Sequence, residues 1–163
     1  SKGKFEDVDI DKVVNQVHES GIEIMANYIY GLPGDTKDTI NETFKLSKKL
    51  NTLGWNTYAA MALPGSALYK EALEKNYKLP EKYEDFSFHS YNTQPLPTDS
   101  LDPAEILKLR DNHYFEYHTN KKFLDKIKSK FGEKAKENIL SMSKIKLKRK
   151  IIEDFELKHS SIS

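Results

Sequence analysis

The chain has 163 residues, which suits about one ordinary domain and is too short for a complete (β/α)8 barrel of roughly 250 residues. Lys and Arg number 26 against 25 Asp and Glu, so the chain lacks the net positive field that a non-specific nucleic-acid binder uses. Cysteine is absent, which excludes disulfides, thiolate nucleophiles, zinc fingers and an iron–sulfur cluster held by this chain alone.

The first eighty residues alternate between helix and strand signals. Asp9 as N-cap and Gly21 as terminator predict a helix from Ile10 to Ser20. Residues 22–30 are almost continuously apolar, β-branched or aromatic, which predicts an interior strand covered on both faces. A turn at 31–36 is predicted next, followed by a helix through Ile40 to Leu53 that Gly54 ends. After it come a predicted strand at 55–62, a Pro64–Gly65 turn and a helix from Ser66 to about Asn76. This alternation predicts parallel strands joined by right-handed crossovers.

The second half of the chain reads as mainly helical. Residues 77–101 carry prolines and scattered aromatics without a period, which predicts a long irregular segment lying over another surface. Asp102, Pro103 and Glu105 predict the capped start of a helix. Its predicted apolar face comprises Ile106, Leu109, His113, Tyr114 and Tyr117. Two or three further helices are predicted around 123–131 and 134–156, followed by a frayed tail at 158–163. The basic run 144–150 has acidic neighbours, which favours a solvated helix face over a nucleic-acid or membrane patch.

Two loops follow the predicted parallel strands, Gly31–Thr36 and Ala60–Ser66. Ligands of parallel α/β folds bind beyond the carboxyl ends of strands, so these loops are expected to face one crevice. Glycines there let the backbone approach a flat or phosphate-like ligand closely. The same residues also make an ordinary strand-to-helix turn, and the two interpretations stay open at this point.

Other catalytic constellations are missing. The histidines, at 18, 89, 113, 118 and 159, have neither the helical nor the loop spacing of a zinc site, so no metal ligand is predicted. Convergent carboxylates or a Ser–His pair, which a hydrolase would need, are not evident. The aromatic stretch 83–91 is interpreted as a hydrophobic seal or as a segment that contributes to substrate choice.

The motifs at both loops resemble those of the radical S-adenosylmethionine (SAM) enzymes, in the branch that often carries a cobalamin-binding domain ahead of the barrel. Segments 11–22, 28–36 and 63–69 are similar to the later βα units of that family. Family members show "GxPGET" after one strand and "PxPGTxLY" after the next. Here Asp35 stands for the Glu, Ala62 for the first Pro and Ser66 for the Thr, and the resemblance covers roughly residues 3 to 80.

The resemblance implies an α/β fold consisting of the later βα units of a partial (β/α)6 TIM-like barrel at 1–80, an irregular segment at 81–101 and a helical extension at 102–157. In the family, three cysteines of a CxxxCxxC loop hold a 4Fe–4S cluster, which cleaves SAM reductively to a 5′-deoxyadenosyl radical. Because this chain has no cysteine, we expect it to be the C-terminal part of such an enzyme, inactive alone. The cluster loop and any cobalamin domain would then lie upstream; a degenerate relative is the alternative.

The resemblance also implies site residues, carried over by position. Those implied to contact the adenine of SAM are Ile29, Gly31, Leu32, Ala62 and Leu63, the last two through their backbone. Asp35 is expected to be a helix cap or first-turn acid rather than a ribose ligand. Strand alternation puts Asn27 and Ile29 on one face and Tyr28 and Tyr30 on the other, so only one pair can line the pocket.

The expected partners are the upstream half of the barrel and a small-molecule substrate of unknown identity, with neither nucleic acid nor membrane. An oxidoreductase or transferase is expected, and the use of cobalamin stays open. With no signal peptide in the first residues and no apolar run near ~20 residues, a cytoplasmic location is expected. The competing hypothesis, a non-catalytic α/β binding module, predicts a closed sheet with covered edges. The barrel hypothesis predicts neighbouring loops and an open sheet edge.

Overall fold

The computed structural model describes residues 7–160. In chain order the elements are α1 (Ile10–Glu19), β1 (Met25–Tyr30), α2 (Lys37–Leu50), β2 (Gly54–Ala59), α3 (Ala67–Glu74), a 3-10 turn (Tyr83–Phe86), α4 (Pro103–Thr119), α5 (Lys121–Phe131), α6 (Glu133–Ser143) and α7 (Lys150–Ser160). The predicted mixed α/β class is confirmed, with two parallel strands and a predominance of helix.

Most predicted helix starts are confirmed because they depend on local side-chain capping. Asp9 accepts a hydrogen bond from the Lys12 amide at 3.0 Å, and Asp102 forms a capping box with Glu105. The predicted end of α2 is wrong. Asn51 ends this helix in the left-handed conformation, at φ 47°, and Gly54 is the first residue of β2 instead.

The sheet has one covered face and one open face. Strands β1 and β2 pair in parallel with Met25 opposite Gly54 and Tyr30 opposite Ala59. The prediction that the first strand is covered on both faces is wrong for residues 7–160, since Met25 is 60% and Ile29 52% exposed. We name this exposed side the open sheet face; its residues are Met25, Asn27, Ile29, Gly54, Asn56 and Tyr58.

The core lies between the covered face of the sheet and helices α2, α4 and α5. Trp55 of β2 stacks on Tyr117 of α4 at 5.4 Å, and its indole N–H donates to Ser47 Oγ at 3.0 Å. Tyr30 and Ala59 pack with Ile106 of α4 in a neighbouring cluster. Burial of each large apolar side chain contributes roughly 1.5–3 kcal/mol, so this single layer of helices anchors the sheet.

The C-terminal region agrees with prediction in its number of helices and differs in two details. The range 134–156 holds two helices, α6 and α7, separated by residues 144–149, so three helices follow α4 within residues 7–160. Arg149 does not lie on a solvated helix face, because it is among the most deeply buried side chains of the chain. Helix α7 also continues to Ser160, so the predicted fraying at 158–160 is wrong, and residues 161–163 lie outside the described part.

The two edges of the sheet differ. The outer edge of β2 is occupied by the chain itself: the Leu96 amide donates to the Ala60 carbonyl at 2.9 Å, and Arg110 Nε donates to the Thr57 carbonyl at 3.0 Å. The other edge of β1 pairs with no strand within residues 7–160. Within the same range, no helix has the length and apolarity that crossing a membrane requires.

Candidate functional site

The two loops that the sequence analysis identified begin at the ends of neighbouring strands. Tyr30 and Ala59 are register partners, and the Ala60 amide donates to the Tyr30 carbonyl at 2.8 Å. Because β1 and β2 are parallel, the Gly31–Thr36 and Ala60–Ser66 loops start at the same edge of the sheet. This placement matches the arrangement that the barrel hypothesis predicts.

Asp35 braces the first loop. Its Oδ2 accepts hydrogen bonds from the Gly31 amide at 2.9 Å and the Leu32 amide at 3.1 Å, while its Oδ1 accepts from Thr39 Oγ1 at 2.9 Å. The expectation that Asp35 is a cap or first-turn acid is wrong, because Thr36 is the N-cap of α2. The carboxylate instead ties the backbone at the start of the loop to Thr39 in the first turn of α2.

Gly31 combines a positive φ with a close approach to α4. Its φ is 80°, and a Cβ at this position would lie 2.9 Å from Ile106 Cδ1 of α4. Gly34 has a similar φ of 90°, yet a Cβ there would meet nothing within 4 Å. The close backbone approach at Gly31 is therefore made to α4, which supports the interpretation of this glycine as part of a strand-to-helix turn.

The predicted adenine-contacting residues divide into two groups. Ile29, Leu32 and Leu63 expose apolar side chains, with Leu63 53% accessible. Gly31 and Ala62 are buried and offer only backbone groups. The Gly31 amide already donates a hydrogen bond to Asp35, whereas the Ala62 amide and carbonyl form no hydrogen bond within residues 7–160. Their part in binding adenine stays a prediction.

The open sheet face adds polar and aromatic groups next to these residues. Asn56 Nδ2 donates to Asn27 Oδ1 at 3.2 Å across the two strands. Tyr58 meets the edge of Phe88, from the irregular segment, at a centroid distance of 5.4 Å. Of the two alternating pairs in β1, Asn27 and Ile29 therefore lie on the open face, while Tyr28 and Tyr30 belong to the helix-covered side.

The titratable groups beneath the strand ends are held neutral by burial. The Tyr30 hydroxyl lies 3.0 Å from His113 Nδ1, and the His113 ring stacks on Phe44 at 3.9 Å. Burial lowers the pKa of His113 to about 4 and raises the pKa of Tyr30 above its usual range. Residues 7–160 contain no group of three His, Cys, Asp or Glu that could hold a metal ion.

Sequence reasoning missed a buried ion cluster at the outer edge of β2. Asp111 accepts from Arg149 Nε at 2.8 Å and from Arg110 Nη1 at 2.9 Å. Arg149 also donates to the Phe88 carbonyl, and the Arg110 guanidinium lies 4.9 Å from the centre of the Phe88 ring. A compositional signal existed: the chain contains only two arginines among its 26 basic residues, and both converge here.

Comparison with known proteins gives one distant likeness. The chain is 30% identical over 129 residues to the anaerobic magnesium-protoporphyrin IX monomethyl ester cyclase of Rubrivivax gelatinosus. The aligned region covers 77% of this chain and 22% of the cyclase. The chain thus spans about a fifth of the length of this relative. No family model matches the chain, and no solved structure matches it significantly. The likeness links the chain, at a coarse level, to an enzyme family.

Proposed function

We propose that the chain is the C-terminal portion of a radical SAM enzyme and supplies the adenine-contacting side of its SAM site. The observation that carries this proposal is the sheet: two parallel strands with helices on one face, an open opposite face, and both motif loops at the same end. In a (β/α) barrel each strand has this arrangement, because helices cover the outside, the inner face turns toward the barrel interior, and ligands bind at the carboxyl ends of the strands.

The unequal edges of the sheet support a position at the end of a strand series. Arg110 donates to the Thr57 carbonyl at the outer edge of β2, and Leu96 donates to the carbonyl of Ala60 directly after the strand. An unpaired strand edge invites a further strand, and the bare edge is that of β1. Earlier strands of the barrel would add there. A closed binding module would instead cover both edges.

The strand ends suit an adenine in chemical terms. Ile29, Leu32 and Leu63 provide exposed apolar surface for a flat ring, whereas Ala62 is buried and supports the loop beneath this surface. Asp35 holds the first loop in place by binding the Gly31 and Leu32 amides. In this proposal the protein groups orient the nucleoside, and SAM with its cluster supplies the one-electron chemistry.

The cluster itself does not fit this chain. The sequence contains no cysteine, and residues 7–160 hold no alternative metal-binding group. A CxxxCxxC loop in upstream sequence would have to supply the ligands, and any cobalamin would be bound upstream as well. The likeness to an anaerobic cyclase lends distant support, since an oxygen-sensitive cluster suits an anaerobic enzyme. The reaction would be that of an oxidoreductase or a transferase.

The test is SAM cleavage by the polypeptide that includes the sequence preceding Ser1. After anaerobic cluster reconstitution we expect 5′-deoxyadenosine to form from SAM. Leu63→Asp is expected to weaken SAM binding about tenfold, or ~1.4 kcal/mol, by placing a charge against the ring. Leu73→Asp, at an exposed position of α3, is the matched control. Absence of a CxxxCxxC triplet upstream, or equal effects of both variants, would overturn the proposal.

A further inference from the structure

The open sheet face carries two asparagines directly opposite each other. Asn27 of β1 and Asn56 of β2 are register partners, joined by the Nδ2 to Oδ1 hydrogen bond of 3.2 Å. Asparagine is depleted in strands because its side chain competes with the backbone for hydrogen bonds. Two of them in register break the local pattern, and such departures are expected at functional sites.

The pair retains hydrogen-bonding capacity for a ligand. Each carboxamide has two N–H donors and an oxygen with two lone pairs. The mutual bond uses one donor of Asn56 and one lone pair of Asn27, and neither side chain forms another hydrogen bond within residues 7–160. A free N–H donor of Asn27 is therefore available beside a free acceptor of Asn56.

The charge of the surroundings restricts the ligand. The six residues of the open sheet face include no Asp, Glu, Lys, Arg or His. An ionised group enclosed against this face would find no opposite charge, which is costly away from water. The group that the two amides bind is therefore uncharged and offers both a hydrogen-bond acceptor and a donor, as a neutral amide or hydroxyl group does.

The position of the pair separates it from the strand ends. Asn27 and Asn56 precede Ile29 and Tyr58 by two residues, which is roughly 7 Å along a strand. The amides thus lie below the proposed adenine contacts. Beside them Tyr58 is 40% exposed and is backed by Phe88, which provides an aromatic wall for an apolar ligand body.

We infer that Asn27 and Asn56 form a substrate subsite that binds an uncharged amide or hydroxyl group of a mainly apolar substrate. This inference rests on the proposed function, because it takes the open sheet face as the inner wall of the barrel. The pair determines specificity through hydrogen bonds, and Tyr58 contributes the adjoining apolar contact.

The experiment follows the side-chain amide signals of Asn27 and Asn56 by NMR in the 163-residue chain. The probe is 2-quinolinone, a flat neutral ring with adjacent N–H and C=O groups; naphthalene and quinoline-2-carboxylate are the apolar and charged comparisons. We expect 2-quinolinone to shift both signals saturably. Asn27→Leu and Asn56→Leu should each weaken its binding at least about tenfold. Asn15→Leu, at an exposed position of α1, should leave its binding unchanged.

The outcomes separate this inference from the proposed function. Absent shifts with 2-quinolinone, or equal binding of either comparison compound, overturn the inference. Adenosine is titrated in the same samples, and shifts of the Ile29 and Leu63 amides report the strand-end surface independently. Adenosine shifts without 2-quinolinone shifts leave the proposed function standing; the reverse result contradicts it. Asn56→Thr, which suits a strand, replaces Asn56→Leu if the latter perturbs the backbone spectrum as a whole.

Discussion

Arg149 shows how one buried side chain determines the course of the C-terminal region. Its guanidinium contacts both oxygens of Asp111, at 2.8 and 3.2 Å, and also binds the Phe88 carbonyl. A planar guanidinium binds both carboxylate oxygens through two nitrogens and the carbonyl through the third, a geometry that the single nitrogen of an ammonium group does not provide. Residue 149 is therefore the point at which the irregular segment, α4 and the start of α7 are joined.

Replacing Arg149 should destabilise the protein. We expect Arg149→Leu to lower the free energy of unfolding by about 2–3 kcal/mol, because the Phe88 carbonyl loses its donor and Asp111 keeps only Arg110. Urea unfolding measures this change. Lys148→Leu, one residue away and exposed, should stay within about 0.5 kcal/mol of the parent. Similar effects of the two substitutions would show that the buried cluster contributes little.

His113 should make stability depend on pH. Burial lowers its pKa to about 4 in the folded protein, against about 6.5 in an unfolded chain. The unfolded state therefore binds the proton more readily, so stability is complete above pH 6.5 and falls as the pH drops from 6.5 toward 4, by up to about 3 kcal/mol. His113→Phe, which keeps a flat ring on Phe44, should remove most of this loss.

Chemical unfolding of both proteins at pH 7.0, 5.5 and 4.5 tests this expectation. A smaller slope remains in the variant because burial also lowers the pKa of His118. His89→Asn is the control at an exposed position. If His113→Phe and the parent lose stability in parallel between pH 6.5 and 4.5, then His113 is not responsible.

Among the elements, the loop after β1 offers a sharp comparison between two glycines. Gly31 and Gly34 both have positive φ, which costs an alanine roughly 1–2 kcal/mol. Gly31→Ala also forces a Cβ against Ile106 Cδ1, so we expect it to cost about 1–3 kcal/mol more than Gly34→Ala. Thermal or urea unfolding of the two variants measures the difference.

A double-mutant cycle identifies the cause. Ile106→Val removes the Cδ1 atom that the new Cβ would meet, at a cost of about 0.5–1.5 kcal/mol alone. Combined with Gly31→Ala, it should cost less than the sum of the two single changes. If the two stability changes are strictly additive, contact with α4 is not the reason for a glycine at position 31. The interpretation that Gly31 lets the backbone approach a ligand would then be favoured.

The elements also show which features sequence can predict. Caps such as Asp9, Ser66 and Asp102 were predictable because each depends on side chains within a few residues. The position of the break between α6 and α7 was not, since Arg149 is drawn to Asp111, 38 positions earlier in the chain. In the sequence, Asp35 could not be distinguished from a helix cap, because an Asp next to a Thr suits both capping and hydrogen bonding to the loop amides.

For the whole molecule, the asymmetry of the sheet was the least predictable property. An apolar strand such as β1 indicates that both faces become buried, and only the structure shows that Met25 and Ile29 have no cover within residues 7–160. Under the proposed function, sequence outside the chain would complete this face. The motif residues Gly31 and Ala62 are buried, so the motif serves partly to fold the strand ends rather than to present side chains.

In the proposed function, the unpaired edge of β1, the open sheet face and the two loops form one wall of a ligand site. Photolabelling with 8-azido-S-adenosylmethionine tests this most directly, in the anaerobically reconstituted polypeptide that includes the upstream sequence. We predict that peptide mapping finds the label within 29–32 and 62–63, and that excess unlabelled SAM suppresses it. Labelling confined to the helix-covered side or to α5–α7, or labelling that unlabelled SAM does not displace, would contradict this assignment.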